Sequence, residues 1–488
     1  MSNSRRKTIL VIGVLQLILI LSIANLPFIL ENFVPGEYRL LLPDFINKTL
    51  GDREDYLPAV SAVPIEVEAS DLIADLGVEA DDVVEEESAL AEVEPTQPPE
   101  QVAAIAEEET EEDEVEEEVE NTPTPVATST PIPPTPTFTP TPSPTPLPMT
   151  FRINGLVNEP QNFNNCGPTN LSIMLRFYGD GTTQEEAAAY LKPNREDRNV
   201  SPWQVSDYVN DFTNLRSITR SNGNQELLRE LIVAGFPVVI EKGYDPDAAN
   251  SYGWYGHYLI VFGYDSSKEE YNTIDTFLGP FTEKDVKQPG YTLEDGFIYS
   301  YEYIAEYWQQ FNYTFYVVYE AEREDELYAI LGDDIIYAED NWTASAIRAQ
   351  KDIDADPDNP FAWFNLGTSL TELGKKTKKN EHYQNAAVAF DKALEIGLPS
   401  RMLWYQHGPF VAYNEIGRHE DALSLADATL VDPGGRTIEE VYLHKGHSLS
   451  YLQDLPNALI AYNQALRLNE NFYPAQWAKD YTESVLDG

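Results

Sequence analysis

A proline-rich stretch in the first third of the sequence separates segments that cannot share one folded core. Residues 122–146 read TPTPVATSTPIPPTPTFTPTPSPTP, and eleven of the fourteen residues from 107 to 120 are acidic. Proline holds the backbone extended and like charges repel each other, so neither stretch can bury enough apolar surface to fold. We therefore predict that residues 32–149 form a disordered linker, acidic first and Thr/Pro-rich afterwards, that acts as a spacer.

An apolar run at residues 9–30 follows three basic residues, Arg5, Arg6 and Lys7. Its length matches the roughly 20 residues that a helix needs to cross a bilayer. Basic residues on its amino side favour a cytoplasmic N-terminus. We predict a cytoplasmic tip and transmembrane helix in residues 1–31, with the bulk of the chain outside the cell membrane. A cleaved signal peptide is the alternative, since it would begin in the same way.

Charge and cysteine content exclude several classes of function. The formal net charge of −50, much of it in the linker, excludes a generic attraction to nucleic acid or anionic lipid. The single cysteine, Cys166, excludes an intrachain disulfide and a thiolate metal cluster. Five histidines lie in the C-terminal part, including His444 and His447, but no carboxylates or cysteines surround them at ligand spacing. We predict no metal and no cofactor.

The order of secondary-structure signals indicates the fold class of residues 150–322. Helix signals come first, among them capping boxes at residues 183–186 and 201–204. Strand-like runs follow at residues 237–241, 257–264, 271–276 and 313–319, with a helical stretch near 301–311. Helices followed by an antiparallel sheet predict an α+β domain.

Cys166 stands in the segment QNFNNCGPT, where a helix is predicted to begin, and it is the candidate nucleophile. Unpaired backbone N–H groups and the positive end of the helix dipole stabilise a thiolate at such a position. Nucleophilic catalysis also needs a base within hydrogen-bond reach. His257 is the only histidine between residues 150 and 320. The alternative is a buried structural thiol and an ordinary strand histidine.

The predicted strand after His257 ends at the sequence DSSK, which can turn the chain into a second strand. If this turn is centred on Ser266, antiparallel pairing places Asp275 directly opposite His257, with Cβ atoms about 4.5–5.5 Å apart. The Asp275 carboxylate would then orient the imidazole and stabilise its cation. Alternatively, Asp275 is an ordinary turn residue. Gln161 is a candidate donor to a developing oxyanion, together with the Cys166 backbone N–H.

Gln161, the Cys166-Gly-Pro triplet, the run GHYLIVFGY and the pair Ile274-Asp275 resemble the papain-like cysteine peptidases of the bacteriocin-leader-processing (peptidase C39-like) type. The resemblance covers about a third of the chain, roughly residues 150–320. It implies a papain-like domain with Cys166 as nucleophile, His257 as general base and acid, Asp275 as orienting acid and Gln161 as oxyanion donor. The best-known members cut after a double glycine while fused to an ABC transporter. This sequence has one predicted membrane segment and no Walker A motif.

From residue 358 onward the sequence repeats at roughly tetratricopeptide spacing. Glycines and alanines recur with aromatic residues, most regularly in the unit that contains Tyr442, Gly446, Ala458, Tyr462 and Ala465. We predict that residues 323–488 form all-α tetratricopeptide-like repeats. Such stacks usually bind a peptide or a partner protein on a concave face. The alternative is that so few repeats only support the peptidase domain.

Three functions are compatible with these features. The first is a membrane-anchored extracytoplasmic cysteine peptidase that acts on peptides or proteins through Cys166, His257 and Asp275. The second is a cell-wall amidase, which also uses a Cys–His pair. The third is a catalytically inactive binding or scaffold protein whose repeats recruit a partner. The sequence favours the first, because all the candidate groups occur in the required order.

Overall fold

The computed structural model describes residue 57 and residues 67–76, 146–244, 253–277 and 296–487. The predicted membrane-spanning run at residues 9–30 and most of the predicted linker lie outside these ranges. None of the helices within the ranges is long and apolar enough to cross a membrane.

An antiparallel sheet of seven strands forms the centre of the first large region. The strands are β1 Thr150–Arg152, β2 Leu215–Arg220, β3 Val238–Tyr244, β4 Tyr255–Asp265, β5 Glu270–Ile274, β6 Phe297–Ser300 and β7 Phe315–Glu320. They lie in the order β2-β7-β3-β4-β5-β6, and β1 pairs with β4. The predicted strands correspond to β3, β4, β5 and β7. The pattern missed β1 and β6, which are only three and four residues long, and β2.

The described helices fall into two groups, one around the sheet and one after it. They are α1 Ala69–Leu72, α2 Cys166–Phe177, α3 Gln184–Leu191, α4 Pro202–Phe212, α5 Gln225–Val233, α6 Tyr301–Gln309, α7 Glu324–Leu331, α8 Asp333–Ile336, α9 Ala338–Ala355, α10 Pro360–Thr377, α11 Asn380–Ile396, α12 Gly408–Glu415, α13 His419–Val431, α14 Glu439–Tyr451, α15 Leu455–Leu468 and α16 Tyr473–Asp487. An α+β region followed by an all-α region agrees with the predicted fold class.

Helices cover both faces of the sheet because successive strand residues point to opposite sides. On one face, Tyr258 and Ile260 of β4 belong to the same buried cluster as Leu171 of α2. On the other face, Leu259 of β4 packs in a cluster with Leu231 of α5 and with α6. Helix α2, which carries Cys166, is therefore packed against strand β4, which carries His257.

The predicted capping boxes start two of the helices. At α3, the Thr183 N–H donates to Glu186 Oε2 at 2.9 Å, and the Glu186 N–H donates to Thr183 Oγ1 at 3.2 Å. At α4, the Ser201 N–H donates to Gln204 Oε1 at 2.7 Å. These reciprocal bonds satisfy N–H groups that the first helical turn leaves without a partner.

The helices after residue 323, here called the helical region, pack as antiparallel neighbours. A Cβ atom on Gly367 of α10 would lie 2.7 Å from the ring of Phe390 in α11. Gly446 of α14 meets the ring of Tyr462 in α15 in the same way. Only glycine permits these approaches, and both contacts agree with the predicted pairing of small and aromatic residues.

From residue 147 onward the sheet region and the helical region belong to one compact unit. Side-chain amides make several of the contacts between them: Asn365 Nδ2 donates to the Gln309 carbonyl (2.6 Å), Asn312 Nδ2 to Ser369 Oγ (3.0 Å) and Asn469 Nδ2 to the Leu191 carbonyl (3.2 Å). These polar contacts are buried or partly buried, so the helical region is firmly attached to the sheet region.

A short piece of the predicted disordered linker is folded. Helix α1 and the turn after it pack on the helical region, where Leu72 and Ile73 are buried. Asp75 Oδ2 lies 3.0 Å from His382 Nε2, and Asn385 Nδ2 donates to the Leu72 carbonyl at 2.9 Å. This stretch differs from the prediction because its apolar side chains find a complementary helical surface that the sequence pattern did not reveal.

Candidate active site

Helix α2 begins at Cys166, as predicted, and the thiol is partly exposed. Asn165 is the N-cap residue, but its side chain makes no capping hydrogen bond. The N–H groups of the first turn are therefore not used by a side-chain cap. Together with the helix dipole, they favour the negatively charged thiolate.

Gln184 of α3 fixes the loop that leads into Cys166. Its Oε1 accepts hydrogen bonds from the Asn162 N–H at 2.8 Å and from Thr169 Oγ1 at 2.9 Å. Its Nε2 donates to the Pro160 carbonyl at 3.0 Å. Nothing in the run QEEAAAYL distinguishes a buried glutamine that binds a loop from a surface glutamine, so the sequence did not predict this role.

His257 and Asp275 form a buried pair, with 2.7 Å between His257 Nε2 and Asp275 Oδ1. Their exposed fractions are only 3% and 5%. The Phe277 N–H donates to Asp275 Oδ1 at 2.9 Å, and the Tyr299 hydroxyl donates to Oδ2 at 3.1 Å. Both carboxylate oxygens are thus held, which fixes the orientation of the imidazole.

The predicted contact between His257 and Asp275 is present, but the predicted strand register is wrong. The turn spans residues 266–269, so Asp265 pairs with Glu270. A β-bulge between Val261 and Gly263 then shifts the register by one residue, and Ile260 pairs with Ile274. Without the bulge, Asp275 would follow on the opposite face from His257, because strand side chains alternate. With it, Asp275 reaches His257 diagonally, just beyond the end of β5.

The electrostatics of the pair keep the imidazole protonated. Burial alone would lower the pKa of His257, but the charge and hydrogen bond of Asp275 outweigh it and raise the pKa to about 9. The nearby Cys166 side chain acts in the same direction. Burial would raise the pKa of Asp275, yet the charges of His257 and Lys242 hold it below its usual value. An imidazolium beside a carboxylate is the charge state consistent with these shifts.

Lys242 of β3, to which no sequence signal pointed, pairs directly with His257 on the neighbouring strand β4. It is fully buried, and its Nζ donates to the Gly243 carbonyl at 2.9 Å and to the Tyr303 hydroxyl at 3.2 Å. The ammonium also lies 4.8–5.3 Å from the ring centroids of three tyrosines, at positions 244, 303 and 307. Burial lowers the pKa of Lys242 to about 7 while Asp275 opposes that shift. Its charge helps keep the Asp275 carboxylate ionised.

Gln161 lies beside this pair. Its backbone N–H donates to the Thr276 carbonyl at 2.9 Å, and the Thr276 hydroxyl donates to Gln161 Oε1 at 2.8 Å. The amide oxygen therefore faces Thr276, which turns the amide NH₂ group away from it. Asn170 Nδ2 of α2 donates to Thr276 Oγ1 at 3.4 Å and ties the same segment to helix α2. The structure thus brings all four predicted site residues into one region.

The histidines of the helical region have a different environment. Burial lowers the pKa of His407 to about 3 and that of His447 to about 4, so both are neutral. The ring of His444 lies 5.5 Å from that of His407 and 5.8 Å from that of His447. Within the described ranges, no group of three or more His, Cys, Asp or Glu side chains is arranged to hold a metal ion.

Comparison with known proteins finds a family model that matches part of the chain. Residues 149–313 match a family model described as the Peptidase_C39 like family. Neither the curated proteins nor the solved structures contain a match to the chain. The matched residues include Gln161, Cys166, His257 and Asp275. The match supports a C39-like peptidase domain in this third of the chain.

Proposed function

We propose that this protein is a cysteine peptidase in which Cys166 is the nucleophile, His257 the general base and acid, and Asp275 the residue that orients the imidazole. The observation that carries the proposal is the 2.7 Å contact between His257 Nε2 and Asp275 Oδ1. Because Nε2 is bound to the carboxylate, Nδ1 is the nitrogen left to exchange a proton with the thiol.

In the acylation step, the Cys166 thiolate attacks the carbonyl carbon of a peptide bond. The charge that develops on the carbonyl oxygen is stabilised by the Cys166 backbone N–H and the Gln161 side-chain amide. The C–N bond then breaks, His257 Nδ1 gives its proton to the departing amine, and a thioester remains on Cys166. Water enters next and transfers a proton to His257 as it attacks the thioester. The products are a carboxylic acid and the regenerated thiol.

Labelling with an epoxysuccinyl inhibitor tests the proposal without a known substrate. An ordinary free thiol is only about 1% ionised at pH 6.5 and therefore reacts slowly. If His257 activates Cys166 as proposed, the wild-type protein should be alkylated much more rapidly than such a thiol at this pH. Cys166→Ala should not be labelled, since the chain has no other cysteine. The readout is the intact mass of the protein over time.

His257→Ala should be labelled much more slowly than wild type, because it lacks the imidazole proposed to activate the thiol. His419→Ala is its matched control, because His419 lies in the helical region and stacks on Tyr451 with 4.7 Å between ring centroids. It should be labelled at the wild-type rate. A wild-type protein labelled no faster than free cysteine would contradict the proposal. Incubation with an unfolded protein and with purified peptidoglycan would then distinguish a peptidase from a cell-wall amidase.

We further propose that residues 150–322 form the peptidase part and that residues 323–488 form the tetratricopeptide-like part. Residues 1–31 would anchor the protein in the cell membrane. The apolar run at residues 9–30 supports the anchor through its length. The expected outcome is that the full chain sediments with membranes and is digested by protease added outside intact cells. Recovery in the soluble fraction would contradict anchoring.

A further inference from the structure

The helical region contacts the strand end that carries His257. Arg401 Nη1 donates to the Trp254 carbonyl at 3.3 Å, just before β4 begins. The ring of Tyr405 lies 6.0 Å from that of Trp254, and the two planes are nearly perpendicular. Both contacts come from the segment 401–405, which contains the short 3₁₀ helix Met402–Trp404.

Gly256, the residue before His257, leaves the space into which the tyrosine fits. A Cβ atom at this glycine would lie 3.1 Å from Cδ1 and Cε1 of Tyr405 and 2.7 Å from Cζ of Phe311. The Gly256 N–H lies close to the Tyr405 phenol oxygen and lowers the pKa of that phenol. The backbone beside His257 is therefore held mainly by a ring contact, from a residue almost 150 positions later in the sequence.

Tyr405 is also close to the proposed nucleophile. Burial raises the pKa of its phenol and the charge of Cys166 raises it further, while the Gly256 N–H and Arg401 act in the opposite direction. The phenol therefore stays neutral, with its oxygen close to the Gly256 N–H.

We propose that Tyr405 of the helical region is a positioning residue of the active site, which holds the Gly256–His257 backbone so that the imidazole faces Cys166. This inference rests on the proposed function, because it assigns a role in bringing His257 to the thiol. It also gives the helical region a part in the activity of the chain, beyond binding a partner.

The test compares Tyr405→Phe with Tyr413→Phe in the full chain. Tyr405→Phe keeps the ring beside Gly256 but removes the oxygen that lies close to the Gly256 N–H. Loss of this polar contact should slow epoxide labelling of Cys166 at pH 6.5 by about fivefold and change the pH dependence of labelling. Tyr413→Phe also removes a buried hydroxyl, which donates to Asp391 at 2.6 Å within the helical region, and it should leave labelling unchanged.

The two variants should lose similar thermal stability, so a difference in labelling cannot come from loosened packing. Equal labelling rates and equal pH profiles for wild type and Tyr405→Phe would overturn the inference. The proposed function fails in a different way, since the wild-type protein itself would then show no rapid labelling that depends on His257.

Discussion

Replacing His257 with alanine is expected to reduce hydrolysis of a peptide substrate by about 10³-fold. The variant loses both the base that accepts the thiol proton and the acid that protonates the departing amine, steps that together contribute about 10²–10⁴-fold. Cys166→Ala should reduce the rate at least as much, because no acyl-enzyme can form. The measurement is cleavage of a fluorescently labelled unfolded protein at pH 7.

The double variant, Cys166→Ala with His257→Ala, shows whether the two residues act as a unit. Its rate should equal that of Cys166→Ala, because His257 has no thiol with which to exchange a proton once Cys166 is replaced. Independent contributions would instead multiply, and that result would contradict a shared mechanism. His419→Ala again serves as the control and should keep wild-type activity.

Local sequence signals were sufficient to predict the type of element that carries Cys166 and the type that carries His257. Cys166 was expected at a helix start and is the first residue of α2, and His257 was expected in a strand and lies in β4. These features depend on capping chemistry and apolar alternation over a few residues. The resemblance to C39-like peptidases used the same residues, and the family match covers them.

The strand register could not be obtained in the same way. The predicted pairing of His257 with Asp275 assumed a turn centred on Ser266 and a regular ladder. The observed turn is centred one and a half residues later, which shifts the strand register by three residues, and the bulge near Phe262 reverses one of these three. The remaining shift of two residues leaves Asp275 on the same face as His257. A bulge depends on the packing of neighbouring strands, which local sequence does not encode clearly.

Contacts over long sequence distances account for the residues that were missed. Lys242 follows Glu241 just after an apolar run, and its environment is built by tyrosines at positions 244, 303 and 307. Tyr405 lies in the part of the chain that is predicted to form tetratricopeptide-like repeats. Its relation to Gly256 appears only when the helical region packs against β4. The repeat pattern predicted paired helices but not the surface against which they pack.

Asp275→Asn is expected to lower the rate by about 100-fold at pH 8 but by much less at pH 6. In the wild-type protein the pKa of His257 is raised to about 9, so the imidazolium persists until the pH rises through that value. Removing the carboxylate charge leaves burial as the main influence, and burial lowers the pKa of a histidine. If that pKa falls to the ordinary value of about 6.5, the protonated fraction at pH 8 drops about 30-fold. Loss of the orienting bond accounts for the remainder.

The pH dependence of kcat/KM distinguishes this role from a general loss of stability. The alkaline limb should move from near pH 9 in the wild-type protein to pH 6.5 or below in Asp275→Asn. Asp352→Asn is the matched control, since Asp352 also accepts a tyrosine hydroxyl, from Tyr313 at 3.1 Å, but lies on helix α9. It should keep the alkaline limb near pH 9. A limb that stays near pH 9 in Asp275→Asn would show that the charge of this carboxylate does not control the protonation of His257.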